Sequence, residues 1–240
     1  MPHFYAHRVF GEQVWLALPH TLRQRLARGY PAFRLGLYGP DPLFFHSLRR
    51  SDPVIIQGLE QHRLPPERTL EAFRGQEKHP QAVAYAGGWL CHYMLDRACH
   101  PLIMAACGGH SLSHAAIELA LDRRLKARYP LPREESYPPS AFAAAVIPCP
   151  GVTPQQFQGA LRGFYRFSKS TATLYHGRGD PALQAKLIAR LTGAVPLCAG
   201  LVCRLVDCLE GDKSLDWLPR ENFYGRVVIP EDKKSGHPDG

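Results

Sequence analysis

The chain has 240 residues, of which 45% are hydrophobic and 21% are charged. These values exclude a disordered or fibrous chain and are typical of a globular protein with a sizeable core. The formal charge of +8 indicates an anionic partner or substrate, such as a phosphate ester, a nucleic acid or an anionic membrane surface. A generally basic, solvated surface is the alternative interpretation. Because no five basic residues follow one another, a stable nucleic-acid partner is not predicted.

Targeting and membrane signals are weak along the chain. Residues 1–16 contain two histidines, an arginine and a glutamate, without the continuous apolar core of a secretory signal. The most apolar later stretch, residues 191–209, is interrupted by Pro196, Arg204 and Asp207, so no transmembrane segment is predicted. These features predict a cytoplasmic location. The seven cysteines are an odd number and are then expected to be reduced thiols.

The first third of the chain alternates helical and turn-rich segments. Apolar residues recur at steps of four over residues 11–29, which predicts a helix that Pro19 kinks or splits. Residues 30–45 are rich in Pro, Gly and aromatic residues and are predicted to be non-helical. A new helix is predicted to start at residues 65–67 and to run to about Phe73.

The strongest helical pattern covers residues 81–99, where apolar residues follow the helical period and Pro101 is expected to end or kink the helix. A second helix is predicted to run to about Arg128, capped by Ser111 or Ser113.

The second half contains a long proline-rich connection and two more helical regions. The connection is residues 129–154, and the helices are predicted over residues 155–175 and 181–210, the latter broken at Pro196. Only Val227–Ile229 is typical of a strand. We therefore expect an all-α protein with one multi-helix domain, residues 1–225, and a disordered polar tail, residues 226–240.

Histidines and carboxylates recur at helical spacing in the middle of the chain. His92 and Asp96 are four residues apart, His114 and Glu118 repeat this relation on the next predicted helix, and His100 lies between the pairs. Side chains four residues apart share one face of a helix, so each pair can chelate a divalent ion. Mixed nitrogen and oxygen ligands of this kind suit zinc, and the set is sufficient for a binuclear site.

Surface ion pairs are the alternative interpretation of such spacing. However, His92 and Asp96 lie in an apolar segment, and a buried carboxylate is costly unless it is paired or bound to a metal. The combined pattern favours metal binding.

Residues 84–101, together with Gly-Pro-Asp at 39–41 and the opening Met-Pro that precedes His7, resemble the bacterial zinc-dependent phospholipase C family. That family shares its fold with the P1-type nucleases. Its signature of H-x3-D, a following histidine and H-x3-E is present here in the same order. The resemblance covers about residues 1–125 and implies an all-α fold of this type.

The resemblance also implies a set of metal ligands. One zinc would be held by two histidines and a glutamate, His100, His114 and Glu118. A second would be held by His92, Asp96, Asp41 and one further histidine. His62 is favoured for that position because it lies between Asp41 and the signature helix; His46 is the competitor.

A third zinc site is implied at His7, with Asp96 as a bridging ligand. Secreted members of the family complete this site with a processed N-terminal tryptophan, which this sequence does not provide. The Pro2 amine or His3 is the candidate substitute. We therefore expect two or three zinc ions.

The implied activity is hydrolysis of phosphodiester bonds by a zinc-activated water, with phospholipid as a possible substrate and peripheral membrane contact as a possible consequence. Asp41 would be the general base, a plain zinc ligand, or both. A nuclease or small-molecule phosphodiesterase on the same metal site is the second hypothesis. A zinc-stabilised helical module without catalysis is the third.

Overall fold

The structure is a computed structural model that describes residues 4–74, 79–108, 110–132, 151–171, 179–211 and 213–227. Nine α-helices are found in these ranges: α1 Phe4–Ala17, α2 His20–Leu26, α3 Tyr30–Gly36, α4 Pro53–Arg63, α5 Pro66–Leu70, α6 Pro80–Cys107, α7 Ser111–Arg128, α8 Pro154–Thr171 and α9 Pro181–Glu210. Short 3-10 helices cover Ala27–Gly29, Asp41–Phe45 and Glu71–Phe73. Within the described residues the only β contact is an isolated bridge between Glu221 and Val227. The predicted all-α fold is confirmed.

Helix α6 is the centre of the domain. It contacts α1, α3, α7 and α9, and its Trp89 and Tyr93 are among the largest fully buried side chains. The contact with α3 is close because Gly36 and Gly88 face the opposite helix, where a Cβ would overlap with backbone atoms. This packing places one face of α6 toward the middle of the molecule.

The prediction of non-helical backbone over residues 30–45 is wrong. The segment contains α3 and the 3-10 helix Asp41–Phe45. Pro31 lies in the first turn of α3, where its missing N–H has no helical partner to lose. Helix α4 was not predicted either; Asp52 caps it by accepting a hydrogen bond of 2.9 Å from the Val54 N–H.

The predicted effects of the prolines differ from one helix to the next. Pro19 separates α1 from α2, as predicted. Pro101 and Pro196 instead lie inside the continuous helices α6 and α9, so the predicted break at Pro196 and the predicted helix end at Pro101 are wrong. Beyond Pro101, Ile103 and Cys107 are buried, and this packing offsets the loss of one backbone hydrogen bond.

Helix α7 has the predicted extent, but His110 rather than a serine occupies its N-cap position, without a side-chain cap. Helix α8 agrees with the predicted segment up to Thr171, and the remaining predicted residues lie outside the described part of the chain. Most of the proline-rich connection, residues 133–150, and the tail from residue 228 also lie outside it.

Helix α9 is long and apolar enough, by length and composition alone, to cross a bilayer. A core helix meets the same criterion. One face of α9, which includes Cys198, Val202 and Leu205, is fully buried against the rest of the domain. The six described cysteines are free thiols, and five of them are buried.

Candidate metal centre

Helix α6 carries three candidate ligands on its inward face. His92, Asp96 and His100 are four residues apart, and all three are buried. Four neighbouring elements add further imidazole and carboxylate groups around this face. The structure thus brings together all eight predicted ligands: His7, Asp41, His62, His92, Asp96, His100, His114 and Glu118.

One group of ligand atoms lies between α6 and α7. The Nε2 atom of His114 is 2.8 Å from Oε1 of Glu118, and Nε2 of His100 is 3.6 Å from the same oxygen. One ligand atom from each of the three residues lies within 4.8 Å of the others. This geometry is compact enough for one divalent ion.

A second group surrounds Asp41, the first residue of the 3-10 helix. Its Oδ1 is 3.2 Å from Nε2 of His62 and 3.9 Å from Nε2 of His92. The His92 Nε2 is in turn 3.4 Å from Oδ2 of Asp96. Ligand atoms of His62, His92 and Asp96 lie within 4.8 Å of one another, and Asp41 contacts two of these residues, so four candidate ligands from three elements adjoin one another.

His7 approaches the cluster from α1. Its ring stacks on His92 with 4.1 Å between ring centroids, and its Nε2 is 3.3 Å from Oδ1 of Asp96. Asp96 thus has one oxygen toward His7 and the other toward His92, which is the arrangement of a bridging carboxylate. The proposed substitutes for the N-terminal tryptophan, Pro2 and His3, lie outside the described residues.

His46, the competitor of His62, lies elsewhere. Its Nδ1 is 3.0 Å from Oδ1 of Asp52, the residue that caps α4. It therefore joins a local ion pair, and the structure places His62 in the cluster.

Backbone carbonyls orient three of the imidazoles. Each of these rings has its Nδ1 in hydrogen-bond distance of a carbonyl oxygen, so that its N–H donates there and Nε2 keeps a lone pair for a metal. The pairs are His62 with Gly58 at 2.8 Å, His92 with Leu37 at 3.1 Å and His100 with Phe223 at 3.2 Å.

Gly39 allows the loop before Asp41 to lie against His92. Its φ of +50° is in the left-handed region, and a Cβ at this position would overlap with the His92 ring. The Gly-Pro-Asp motif thus sets the distance between Asp41 and α6.

The imidazoles of the cluster offset the negative charge of its buried carboxylates. Burial by itself lowers the pKa of His100, but the carboxylates of Asp96 and Glu118 outweigh this effect and raise it to about 9. Burial raises the pKa of Asp96 and of Glu118, but hydrogen bonds and charges from the surrounding histidines hold both well below their usual range. Without metal, a protonated His100 supplies part of the positive charge that these carboxylates need.

Several buried polar atoms of the cluster lack a hydrogen-bond partner among the described residues: both carboxylate oxygens of Asp41, Nε2 of His92 and Oδ2 of Asp96. The short Asp41–His62 distance is an ion-pair contact without hydrogen-bond geometry. Burying such polar atoms without a hydrogen bond raises the free energy of the folded state. Divalent cations coordinated by these nitrogen and oxygen atoms would remove the cost, so the residues fit zinc.

Asp122 is a functional neighbour that the sequence reasoning missed. It continues the four-residue spacing of His114 and Glu118 along α7, which is the signal that could have revealed it. Its carboxylate accepts hydrogen bonds from the backbone N–H groups of Tyr5, at 3.1 Å, and Ala6, at 2.9 Å. Asp122 therefore fixes the first turn of α1, directly before His7.

Residues 221–227, here called the capping hairpin, were also missed. Phe223 packs on His62, with 4.6 Å between ring centroids, and its carbonyl oxygen accepts the hydrogen bond from His100. Tyr224 stacks on His100 at 5.3 Å. Apart from the strand-like residues at its end, no sequence signal indicates that this segment returns to α6.

Comparison with known protein families gives a match to this chain. The model of the family described as zinc-dependent phospholipase C matches residues 6–148, which is more than half of the chain and includes all eight candidate ligands. Neither curated proteins nor solved structures give a match. The chain therefore belongs to the zinc-dependent phospholipase C family and is a metal-dependent phosphodiester hydrolase.

Proposed function

We propose that the protein cleaves the phosphodiester bond of a phospholipid with the help of two zinc ions. His100, His114 and Glu118 would hold one ion. The second would be held by four residues: Asp41, His62, His92 and Asp96. The observation that carries this assignment is the convergence of these side chains from separate elements into one buried cluster whose Nε2 and carboxylate atoms face each other.

Zinc, when bound, stabilises the charge that develops on the phosphate oxygens and makes a water molecule acidic enough to react near neutral pH. Asp41 is suited to accept the proton of that water, because both its oxygens are buried beside the imidazoles of the cluster without a hydrogen-bond partner among the described residues. The water oxygen forms the new bond to phosphorus while the bond to the glycerol oxygen breaks. The products are a phosphomonoester and an alcohol.

The carbonyl groups around the cluster contribute by orientation. Gly58, Leu37 and Phe223 fix three imidazole rings, so the ligand atoms are positioned before any ion enters. Such preorganisation reduces the cost of reaching the reactive geometry.

A third ion is proposed between His7 and Asp96. Support comes from the 3.3 Å distance between Nε2 of His7 and Oδ1 of Asp96, and from the group His7, Asp41 and His92, whose ligand atoms lie within 4.8 Å of one another. These two residues alone do not complete a zinc site, so further ligands are required.

The proposal is tested by metal analysis of the purified protein together with activity assays. We expect at least two zinc ions per chain. Hydrolysis of phosphatidylcholine and of a water-soluble chromogenic choline phosphodiester should be lost with a chelator and regained with zinc. Chromogenic phosphomonoester and single-stranded DNA are the comparison substrates. Preferential cleavage of DNA would favour a nuclease, whereas zinc without hydrolysis of any of these substrates would favour a structural role.

A further inference from the structure

A groove of about 420 Å³ lies between α6, α9 and the capping hairpin. Its floor is made of small and apolar residues on the two helices, among them Met94, Ala98, Gly193 and Ala194. The α6 residues that line it belong to a different face of the helix from His92, Asp96 and His100. The groove is therefore separate from the metal cluster.

Two large apolar side chains are exposed at the edge of this groove. Leu197 on α9 lines it and is 57% exposed. Val227 is 68% exposed and pairs through its backbone with Glu221, which also lines the groove. Large apolar side chains exposed around one groove are typical of a surface that another molecule covers.

The charges around the groove are mainly positive. Arg97 and Arg190 line it, and Arg226 is exposed between Gly225, another lining residue, and Val227. The one acidic residue of the lining, Glu221, is paired with Arg97 at 2.8 Å. The described residues form no ion pair with Arg190 or Arg226, so the surface presents two positive charges together with the exposed Leu197 and Val227.

The capping hairpin connects this surface with the metal cluster. Tyr224 stacks on His100, and the next residue, Gly225, faces Pro101, where a Cβ would lie 3.3 Å from the proline ring. Gly225, which lines the groove, therefore directly follows Tyr224, whose ring covers the candidate ligand His100.

We propose that the groove edge formed by Arg190, Leu197, Arg226 and Val227, here called the docking face, binds the surface of an anionic phospholipid bilayer. Leu197 and Val227 enter the apolar layer, and the two arginines face lipid phosphates. This inference rests on the proposed phospholipid substrate. A second copy of the chain fits less well, because a twofold interface would bring the unbalanced arginines of one copy against those of the other.

The test uses the full chain with zinc and vesicles of phosphatidylcholine with or without about 30% phosphatidylserine. The apolar variant is L197S/V227S, and its matched control is L16S/L48S, which changes two exposed leucines outside the groove. We expect the apolar variant to weaken vesicle sedimentation and vesicle hydrolysis about tenfold or more. The single variant L197S leaves the capping hairpin intact, so its hydrolysis of the soluble chromogenic diester should stay within about twofold.

The charge variant is R190E/R226E, with R28E/R50E as a control of equal charge change at other exposed positions. We expect R190E/R226E to remove the preference for phosphatidylserine vesicles, and the control to keep most of it. This comparison separates the docking face from the general effect of net charge.

Three results would overturn the docking face: equal losses in the variants and their controls, vesicle binding unaffected by L197S/V227S, or a wild-type chain that does not bind vesicles. If L197S/V227S changes the mass in light scattering instead, the face is an interface between copies. If vesicle binding follows the expected pattern while neither diester is hydrolysed, the docking face stands and the proposed function fails.

Discussion

At the scale of single residues, Asp41 combines complete burial with carboxylate oxygens that face the imidazoles of His62 and His92. Replacing it with asparagine keeps its size and one oxygen that can bind a metal, but an amide cannot accept the proton of the attacking water. We expect Asp41→Asn to lower turnover of the soluble diester by about 10²- to 10⁴-fold while much of the zinc remains.

His114→Ala is the matched comparison for Asp41→Asn. It removes one of three ligands in the group between α6 and α7, so zinc content should fall by about one ion per chain. Elemental analysis and the same rate assay are made on both variants. If Asp41→Asn lost all its zinc and His114→Ala lost none, the assigned roles would be reversed.

His100 makes zinc binding dependent on pH. Its pKa is raised from an ordinary 6.5 to about 9, so the metal-free protein carries a proton on His100 that zinc must displace below pH 9. Protonated His100 also stabilises the metal-free fold. Its contribution to the free energy of unfolding is complete below pH 6.5 and is lost as the pH rises through 9. The apparent zinc affinity should rise about tenfold per pH unit between about pH 7 and 9 and then level off.

Competition with a zinc indicator at several pH values measures this affinity. His46→Ala is the control, since His46 pairs with Asp52 outside the cluster, and it should keep the slope. An affinity that does not change over this range would contradict the displacement of a proton from His100 by zinc.

At the scale of helices, Asp122 links α7 to the first turn of α1. Asp122→Ala leaves the Tyr5 and Ala6 N–H groups without this acceptor and loosens the turn before His7. We expect a loss of about 1–3 kcal/mol in the free energy of unfolding, measured with urea, and weaker zinc retention in a chelator titration.

Asp180→Ala is the control for this loss. Asp180 also accepts a backbone hydrogen bond, from the Ala182 N–H at 2.9 Å, but at the start of α9 and near an exposed surface. Asp180→Ala should lower the free energy of unfolding by about 1 kcal/mol without changing zinc retention. Equal zinc loss in both variants would contradict a specific link between Asp122 and His7.

The helices that could be predicted from the sequence were those with a strong apolar period, and the errors came from proline and glycine. Pro19, Pro101 and Pro196 have the same local chemistry, yet only Pro19 ends a helix. Buried side chains follow all three prolines, so whether the helix continues depends on contacts with distant parts of the chain and not on the proline alone. Helix α3 was missed for a similar reason, since contact with α6 stabilises its short, turn-rich sequence.

The candidate site could be predicted where ligands share a helix. His92 with Asp96 and His114 with Glu118 are local pairs, so their spacing alone indicates a common face. The capping hairpin is different, because the hydrogen bond from His100 to Phe223 spans 123 residues. Spacing on one helix carries no information on such a contact.

At the scale of the whole molecule, the candidate metal ligands come from α1, α4, α6, α7 and a 3-10 helix, so bound zinc would connect most of residues 4–128. Removing zinc should lower the unfolding temperature, because an ion that binds only the folded state stabilises it by about 4 kcal/mol at a thousand times its dissociation constant.

Thermal unfolding followed by circular dichroism, with and without a chelator, measures this effect. Adding zinc back should restore both the unfolding temperature and the activity, and His114→Ala should show a smaller difference. An unfolding temperature that the chelator leaves unchanged would argue against metal as part of the native fold.

The long separation between His100 and its carbonyl partner in the capping hairpin has a consequence for biosynthesis. A ribosome makes all eight candidate ligands by residue 118, but Phe223 and Tyr224 emerge only about 100 residues later. A product that stops before residue 221 would contain every ligand yet leave His100 without its fixed orientation. Premature termination would thus give a chain with the full signature of the enzyme and an incomplete active site.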